Sequence, residues 1–453
     1  MKTTRTLLIF FFLAWLQVGA QQTILRNVRV VDNVRGTVSD PKDVYIQGSA
    51  IEKIAKPATS TPAGSTVIDC SGKYVMPGLW DMHVHSWWDI HFLDWYTKFG
   101  VTGLRNMFTP PSMLFPVRDS IRAGLKNGPV IYGAGMIVDG PDPAFKIYYS
   151  LTDTAEVDSI IQRCIDDKVD FIKVYDAIPR DPYFALMQKA AALKIPVCGH
   201  VPIAISANEA AAAGQRSVEH MFGMPELCLS HTIADSLYYH HWFESFLSPG
   251  YQHALRENAG SCKDAFAEFR KHNTYWCPTL VIHDVLGHPL KAYGTAQEFK
   301  WLPKDIIDYW TPYVEEFRQL PQSAIDDLAD NFEYYKTIVK SAYDAGVPLL
   351  IGTDFPNPWL LPGISLHDEM ELFASLGIPN KDIIRIATYN PAEYFGITGQ
   401  YGTVQEHKIA NLIILDADPF QDISNTRKIV YTIVEGKVID PDTIDLSDPA
   451  HLR

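Results

Sequence analysis

The stretch Tyr74–His85 reads YVMPGLWDMHVH, and the fold can be inferred outward from it. An apolar run breaks at Pro77-Gly78, resumes, and ends on two histidines separated by one residue. Because side chains at i and i+2 of a β-strand point to the same side, His83 and His85 would project together from the end of a strand. Two imidazoles so placed suit a metal ion, although such a pair is often two unrelated surface histidines.

Downstream of this pair, strand-like and helix-like segments alternate along the chain. After the strand that ends at His85, the strand candidates are 102–107, 129–136, 170–175, 196–200, 217–220, 274–282 and 347–354. The helix candidates between and after them include 115–125, 154–166, 181–193, 207–213 and 331–345. Eight strand candidates followed by helical sequence predict an α/β protein with a (β/α)8 barrel of the TIM type.

The two ends of the chain share a different pattern. Alternating apolar and polar residues at 23–66, 411–417 and 429–440 predict short strands of a half-buried antiparallel sheet. We expect 21–78 and 401–445 to complete one small β-sandwich, since chain ends often lie close together. That leaves 79–400 as the barrel.

Polar residues suited to catalysis follow the strand candidates in order. Lys173 lies on strand four, His200 ends strand five, His220 ends strand six and Asp354 ends strand eight. Taken singly they could be a surface lysine, hydrogen-bonded core histidines and a helix N-cap. Active sites of α/β barrels are built at the C-terminal ends of the strands, so the whole series indicates one site.

With this series in place, the chain resembles the amidohydrolase superfamily, in the subgroup whose two metals are bridged by a carboxylated lysine. The resemblance rests on the phrases MPGLWDMHVH, FIKVY, GHVP, SVEHM and IGTD and on the closing segment from Asn411 to Ile439. The chain is similar in particular to the imidazolonepropionase-like amidohydrolases, which include prolidases, other dipeptidases and amidases.

The resemblance implies a role for each residue of the series. His83, His85 and Asp354 would hold one divalent ion, with zinc as the expected metal, and His200 and His220 would hold the other. Lys173 would react with carbon dioxide to give a carbamate that bridges the ions, which an ammonium group without a lone pair could not do. A hydroxide between the ions would be the nucleophile, and Asp354 would pass its proton to the leaving amine.

Two further residues are candidates for contact with the substrate. Tyr175, two residues after Lys173, would face the same side and could hydrogen-bond a developing oxyanion, or it could be a buried aromatic residue. Arg105, at the end of strand two, could bind a substrate carboxylate, or it could be a structural salt-bridge partner.

The net charge and the N-terminal segment restrict the binding partners of the protein and its cellular compartment. The formal charge is −14 and becomes −16 without Lys2 and Arg5, which makes a nucleic-acid partner improbable on electrostatic grounds. Residues 1–20 combine a basic start, the apolar run LLIFFFLAWL and small residues before Gln21, as in a cleaved signal peptide. We therefore expect export to the periplasm or beyond, without stable membrane insertion.

The six cysteines leave their redox state open. Cys70, Cys164, Cys198, Cys228, Cys262 and Cys277 show no C-x-x-C spacing. An exported chain permits disulfides, but free buried cysteines suit a protein of this size equally well.

Long insertions follow strands six and seven, at 224–262 and 283–330. Both are rich in aromatic residues: Tyr238, Tyr239, Trp242, Phe243 and Phe246 in the first, and Trp301, Tyr309, Trp310, Tyr313 and Phe317 in the second. Loops after barrel strands lie over the active site, so the insertions could form a lid that recognises a bulky or aromatic substrate. They could equally pack on each other or form the interface of a homo-oligomer.

The sequence therefore predicts an exported binuclear metal amidohydrolase acting on a small dipeptide-like or N-acyl amino acid substrate. The alternatives are a cyclic amide, lactone or phosphotriester at the same metal pair, and a metal-bearing binding protein without catalysis.

Overall fold

A computed structural model of the protein describes residues 22–85, 92–143, 145–229, 249–260, 262, 264–289 and 297–446. The predicted signal peptide at 1–20 lies outside these residues, as do the five aromatic residues of the first insertion, Tyr238, Tyr239, Trp242, Phe243 and Phe246.

Strands from both chain ends form one mixed sheet. They are β1 (Gln22–Asp32), β2 (Thr37–Gln47), β3 (Ala50–Ala55), β4 (Thr66–Asp69), β5 (Tyr74–Pro77), β15 (Leu412–Leu415), β16 (Ile429–Val434) and β17 (Lys437–Ile439). The order is β17-β16-β15-β5-β1-β2-β3, with β4 paired to β1. The β3 edge returns toward β15, because the Ile51 amide donates to the carbonyl of Lys408.

This terminal sheet has its own apolar core. Leu25, Val44, Ile414 and Ile433 are fully buried in it, two from each end of the chain. Alternation along each strand places such residues on one side, and neither end of the chain could cover this surface alone.

Parallel strands make up the barrel wall. They are β6 (Leu79–His85), β7 (Val101–Phe108), β8 (Val130–Gly133), β9 (Ile137–Asp139), β11 (Ile172–Val174), β12 (Val197–Gly199), β13 (Ser217–Glu219) and β14 (Tyr275–Cys277), with the two-residue β10 (Tyr149–Ser150) beside β9. The predicted third strand, 129–136, contains β8, which pairs with β7; β9, which pairs with β11, begins one residue after its end.

The segment 347–355 closes the barrel between β14 and β6, although it forms only isolated bridges rather than a continuous ladder. On one side the Leu350 amide donates to the carbonyl of Trp276 at 2.8 Å. On the other, the Met82 amide donates to the carbonyl of Ile351 at 2.9 Å and the Asp354 amide to that of His83 at 2.8 Å. The predicted barrel with a sandwich built from the termini is confirmed.

Helices cover the outside of the barrel. They are α1 (Leu93–Lys98), α2 (Pro111–Arg122), α3 (Val157–Asp166), α4 (Arg180–Ala192), α5 (Ala207–Ala212), α6 (Pro249–Glu257), α7 (Ala267–His272), α8 (Leu280–Gly287), α9 (Lys304–Arg318), α10 (Gln322–Asp344), α11 (Ile364–Ser375) and α12 (Asn380–Tyr394). The predicted helix at 331–345 is the second half of α10, which begins at Gln322 inside the second insertion.

Close packing between adjacent strands depends on one glycine at β7. A Cβ atom on Gly103 would lie 2.2 Å from the indole of Trp80, so a larger residue would displace this ring from the neighbouring β6. Every residue of β7 is buried, as expected of a parallel strand covered on both faces.

The described part of the first insertion is cross-linked. Cys228, in the short 3-10 helix Pro225–Cys228, forms a disulfide with Cys262, while the other four cysteines are free and buried. Both alternatives left open for the cysteines are therefore realised, each by different residues. Among the described residues, no helix combines the length and apolarity that crossing a bilayer requires.

Candidate metal centre

Three of the predicted ligands converge at the C-terminal end of the barrel. His83, His220 and Asp354 are buried, and each offers one ligand atom such that all three atoms lie within 4.8 Å of one another. His85 joins them, since its Nε2 lies 2.8 Å from Asp354 Oδ1, while His83 Nε2 lies 3.3 Å from the same oxygen. Residues from strands one, six and eight therefore meet around one carboxylate.

Each of three histidines has its Nδ1 atom held by a polar side chain. Nδ1 of His83 lies 2.9 Å from Glu219 and that of His200 lies 2.6 Å from Asp176. Nδ1 of His220 lies 2.7 Å from the hydroxyl of Thr279. A carboxylate can only accept, so Nδ1–H donates in the first two pairs, which leaves the Nε2 lone pair for a metal.

The second group of predicted ligands lies directly beside the first. The ring centroids of His200 and His220 are 5.1 Å apart, and those of His220 and His83 are 4.5 Å apart. Lys173 is fully buried on β11, close enough to His83 and His200 for its charge to lower the pKa of both.

Burial has the largest effect on the pKa values of the histidines and of Asp354. It lowers the pKa of His83, His200 and His220 well below the ordinary value, with nearby positive charges adding to the effect. Burial alone would raise the pKa of Asp354, but His220 and the hydrogen bond from His85 hold it below the ordinary value. Neutral imidazoles and an ionised carboxylate are the forms that bind metals.

Two buried polar atoms test whether this site suits metal ions. Among the described residues, neither His83 Nε2 nor Lys173 Nζ has a hydrogen-bond partner. Burial also lowers the pKa of Lys173, against the opposing effect of Glu219 and Asp354. A buried donor set with unused nitrogen atoms fits a bound cation, and a lysine with a lowered pKa fits carbamate formation.

The backbone at two of these residues is unusual. His220 has φ +56° and Asp354 has φ +66°, both in the left-handed region that non-glycine residues seldom adopt. Both residues end barrel strands, and the turn redirects each side chain toward the cluster. Such conformations concentrate at functional sites.

Arg105 lies behind the cluster, where a substrate has no access. It is fully buried and donates to the carboxylate of Glu219 at 2.6 Å, to the hydroxyl of Ser217 at 2.7 Å and to that of Tyr394 at 3.0 Å. The prediction that Arg105 binds a substrate carboxylate is therefore wrong, because its guanidinium already serves the buried Glu219. The salt-bridge alternative describes this residue.

Tyr175 lies on the same side as Lys173, as its spacing predicted. Its ring stacks on His200 with centroids 3.9 Å apart, and Lys173 Nζ lies 5.6 Å from the ring centre. Burial raises the pKa of Tyr175, and nearby carboxylates raise it further, so the phenol stays protonated. A protonated phenol beside the cluster can donate a hydrogen bond.

Sequence reasoning missed the residues that hold the histidines. Glu219 precedes His220 directly and contacts both His83 and Arg105. Asp176 follows Tyr175 and contacts His200. The available signal was an acidic residue adjacent to a strand-end ligand, since metal-binding histidines usually donate to a carboxylate.

Comparison with known proteins agrees with this fold. The structure superposes on bottromycin amidohydrolase with a TM-score of 0.74 at 19% sequence identity, covering 95% of this chain and 90% of the other. A Xaa-Pro dipeptidase with bound methionine gives a TM-score of 0.67 at 18% identity, covering 93% of this chain and 100% of the other. A sequence model described as the amidohydrolase family matches residues 322–439.

The chain therefore has the amidohydrolase fold, and its residues 322–439 resemble the amidohydrolase family in sequence. Its matches among curated relatives are short. A dihydroorotase of Trichlorobacter lovleyi is 44% identical over 62 residues, which is 14% of this chain and 14% of the relative. An imidazolonepropionase of Thermoplasma acidophilum is 28% identical over 85 residues, 18% of this chain and 19% of the relative. The match therefore spans less than a fifth of the length of these relatives.

Within the superfamily fold, the cluster lies where an active site is expected. Each predicted ligand ends or follows a barrel strand, on the face where the loops of an α/β barrel carry function.

Proposed function

We propose that this chain is a metal-dependent hydrolase that cleaves the amide bond of a small dipeptide-like or N-acyl amino acid substrate. The observation that carries the proposal is the buried cluster of His83, His220 and Asp354, in which His83 Nε2 and Lys173 Nζ make no hydrogen bond to a described residue. The structural likeness to bottromycin amidohydrolase and a Xaa-Pro dipeptidase supports an amide or dipeptide substrate.

Two divalent ions, with zinc expected, would use the residues of this cluster. His83, His85 and Asp354 would hold one, His200 and His220 the other, and carboxylated Lys173 both. When bound, such a pair lowers the pKa of a water molecule toward neutrality and polarises the carbonyl group under attack.

Residues of the chain would transfer the proton and stabilise the negative charge that develops on the substrate oxygen. Asp354 is ionised, so it can accept the proton of the attacking water and return it to the leaving amine. Tyr175, which remains protonated beside His200, can donate to the oxygen that becomes negative. Glu219, Asp176 and Thr279 would orient the histidines.

We also propose that the protein is exported. The basic and apolar segment at 1–20 supports this, and the disulfide between Cys228 and Cys262 suits an oxidising compartment. N-terminal sequencing of protein recovered from the periplasm or medium should begin at or near Gln21. Recovery of the uncleaved chain from the cytoplasm would refute export.

A cyclic amide is the second candidate substrate. It is favoured by the match to a dihydroorotase, which is 44% identical over 62 residues. The same metal pair and the same proton acceptor would serve either bond, so substrate assays must decide between them.

Elemental analysis combined with a substrate panel tests the proposal. Protein purified without chelator and with bicarbonate should contain close to two divalent ions per chain. It should release amino acids from N-acyl amino acids or dipeptides, and a chelator should abolish the release. One ion or none would refute the binuclear site, whereas two ions without turnover of linear or cyclic amides would refute amide hydrolysis.

A further inference from the structure

Exposed aromatic side chains lie on two segments that follow barrel strands near the candidate metal centre. Phe145, on the loop after β9, is 44% exposed, and Tyr309 and Tyr313 of α9 are 43% and 39% exposed. Large apolar rings left in water at the mouth of a site are costly unless something covers them. Both groups lie on loops or insertions that follow barrel strands.

The Phe145 ring belongs to a continuous row of rings that reaches the metal centre. Its centroid lies 5.7 Å from Phe108 and 5.7 Å from Tyr175. Phe108 in turn lies 6.4 Å from His85, and Tyr175 stacks on His200 at 3.9 Å. A ligand that covers Phe145 would therefore also reach the proposed metal ligands.

Tyr309 lies on α9, within the second insertion. The neighbouring Trp310 is fully buried, and its Nε1–H donates to the carbonyl of Pro356 at 2.8 Å, two residues after Asp354. This bond holds α9 over strand eight, and the Tyr309 and Tyr313 rings lie 5.6 Å apart on one face of it. Tyr309 directly precedes Trp310, so it lies on the turn of α9 that this bond holds beside the segment after Asp354.

The exposed apolar residues Leu125 and Leu193 do not share this placement. Leu125 is 83% exposed in the turn after α2, and Leu193 lies in the turn after α4, at the ends of covering helices that lead into the next strands. Scattered residues of this kind are ordinary on protein surfaces. Phe145 differs because its ring contacts Tyr175 at the proposed site, and Tyr309 differs because its helix is held by Trp310 to the segment after Asp354.

We propose that Phe145 and Tyr309 bind an aromatic ring of the substrate and so determine specificity for amides that carry an aromatic side group. The inference rests on the proposed amide hydrolysis and specifies its substrate class. A flat ring fits here because offset or edge-to-face packing against two exposed rings favours an aromatic group over an aliphatic group of similar size. Neither residue takes part in the chemical step.

The test measures kcat/KM for matched aromatic and aliphatic substrates, such as N-acetylphenylalanine against N-acetylleucine and Phe-Gly against Leu-Gly. We expect wild-type protein to prefer the aromatic member. Phe145→Ala and Tyr309→Ala should each lower this preference about tenfold, mainly through KM. Tyr309→Phe keeps the ring and should keep the preference, and Leu125→Ala is the matched control for an exposed apolar residue.

Three results would overturn the inference. An aromatic-to-aliphatic ratio that is unchanged in Phe145→Ala and Tyr309→Ala would exclude a specificity role. A sedimentation change in Phe145→Ala with unchanged kinetics would show that a second copy of the chain covers the ring. If no amide is hydrolysed, calorimetry with metal-loaded protein still tests the aromatic site. N-acetylphenylalanine should bind more tightly than N-acetylleucine to the wild type, but not to Phe145→Ala or Tyr309→Ala. Equal binding of both would reject the aromatic site independently of turnover.

Discussion

At the residue scale, the organising feature is how the charges behind the metal centre are paired. Arg105 and Glu219 are both fully buried, and Glu219 also accepts a hydrogen bond from His83. Glu219 therefore balances one buried cation and orients one proposed metal ligand. A buried pair of this kind costs solvation, and losing either partner exposes the other to that cost without compensation.

Arg105→Met should therefore destabilise the protein rather than alter substrate affinity. We expect the free energy of unfolding to fall by about 3–5 kcal/mol, because the Glu219 carboxylate would stay buried without its cationic partner. Urea denaturation measures this. Arg122→Met is the matched control, since Arg122 pairs with Asp170 at a partly exposed position and should change stability by less than about 1 kcal/mol. Unchanged stability with a raised KM would restore Arg105 as a substrate-binding residue.

Lys173→Ala should remove metal without unfolding the chain. Its Nζ makes no hydrogen bond to another described residue, so little structure depends on it. We expect the metal content to fall from two ions to one or none per chain and kcat to fall at least about 100-fold. Elemental analysis and steady-state kinetics measure both, with circular dichroism confirming the fold. Lys189→Ala, at an exposed ion pair with Asp158, should change neither quantity. A full metal load in Lys173→Ala would reject the bridging carbamate.

At the element scale, the insertions after strands six and seven are anchored in different ways. The first is anchored covalently, by the disulfide between Cys228 and Cys262. The second is anchored by packing, since Trp310 of α9 lies against Phe299 and Trp359 with ring centroids 6.1 Å and 5.7 Å away. Insertions above a barrel need such anchors, because only their ends are joined to the barrel strands.

Removing the disulfide should lower stability measurably. The two cysteines are 34 residues apart, and a cross-link of that span stabilises a protein by about 2–4 kcal/mol, chiefly by restricting the unfolded chain. We expect the Cys228→Ser/Cys262→Ser double variant to lose that amount in urea denaturation. Cys164→Ser, at a free buried thiol, controls for placing a serine in the interior. Equal stability of wild type with and without reductant would contradict the expectation.

At the scale of the whole molecule, the barrel and the terminal sheet are joined through buried polar contacts. His367 of α11 is buried, with Nε2–H donating to the carbonyl of Phe99 at 3.0 Å. Its Nδ1 lies 2.9 Å from the hydroxyl of Thr426, in the 3-10 helix Ile423–Arg427 between β15 and β16. The histidine thus connects a barrel helix, the turn before β7 and the C-terminal segment.

The protonation of His367 predicts a pH dependence of stability. Burial lowers its pKa to about 3, whereas the unfolded chain has an ordinary histidine. Since the unfolded state binds the proton first, this contribution is complete above about pH 6.5 and is lost progressively as the pH falls toward 3. Between pH 7 and pH 5, His367 should lower the free energy of unfolding of the wild type by about 2 kcal/mol, and this decrease should be absent in His367→Gln. His253→Gln, at an exposed ion pair, is the control. Parallel stability–pH curves for wild type and His367→Gln would contradict this.

Much of the fold could be predicted because its signals are local. Alternation along Ile172–Val174 places Lys173 opposite its two apolar neighbours, and the H-x-H pair of β6 shares a side, whatever surrounds them. The third strand was harder, since the prediction ended it at 136 and did not separate β9 (Ile137–Asp139), whose existence depends on its pairing with β11. The start of α10 at Gln322 was missed because its first turns lie within the insertion.

The sequence by itself determined the architecture and the order of the predicted ligands, because strand and helix periodicity and the strand-end motifs are properties of short segments. Only the tertiary structure decided which distant residues meet. Glu219 lies 136 positions from His83 and 114 from Arg105, and no local pattern relates them. The pairing of Cys228 with Cys262 and the approach of α9 to strand eight belong to the same class. Such contacts arise when the barrel closes and buried charges and rings must find partners among the side chains brought near them.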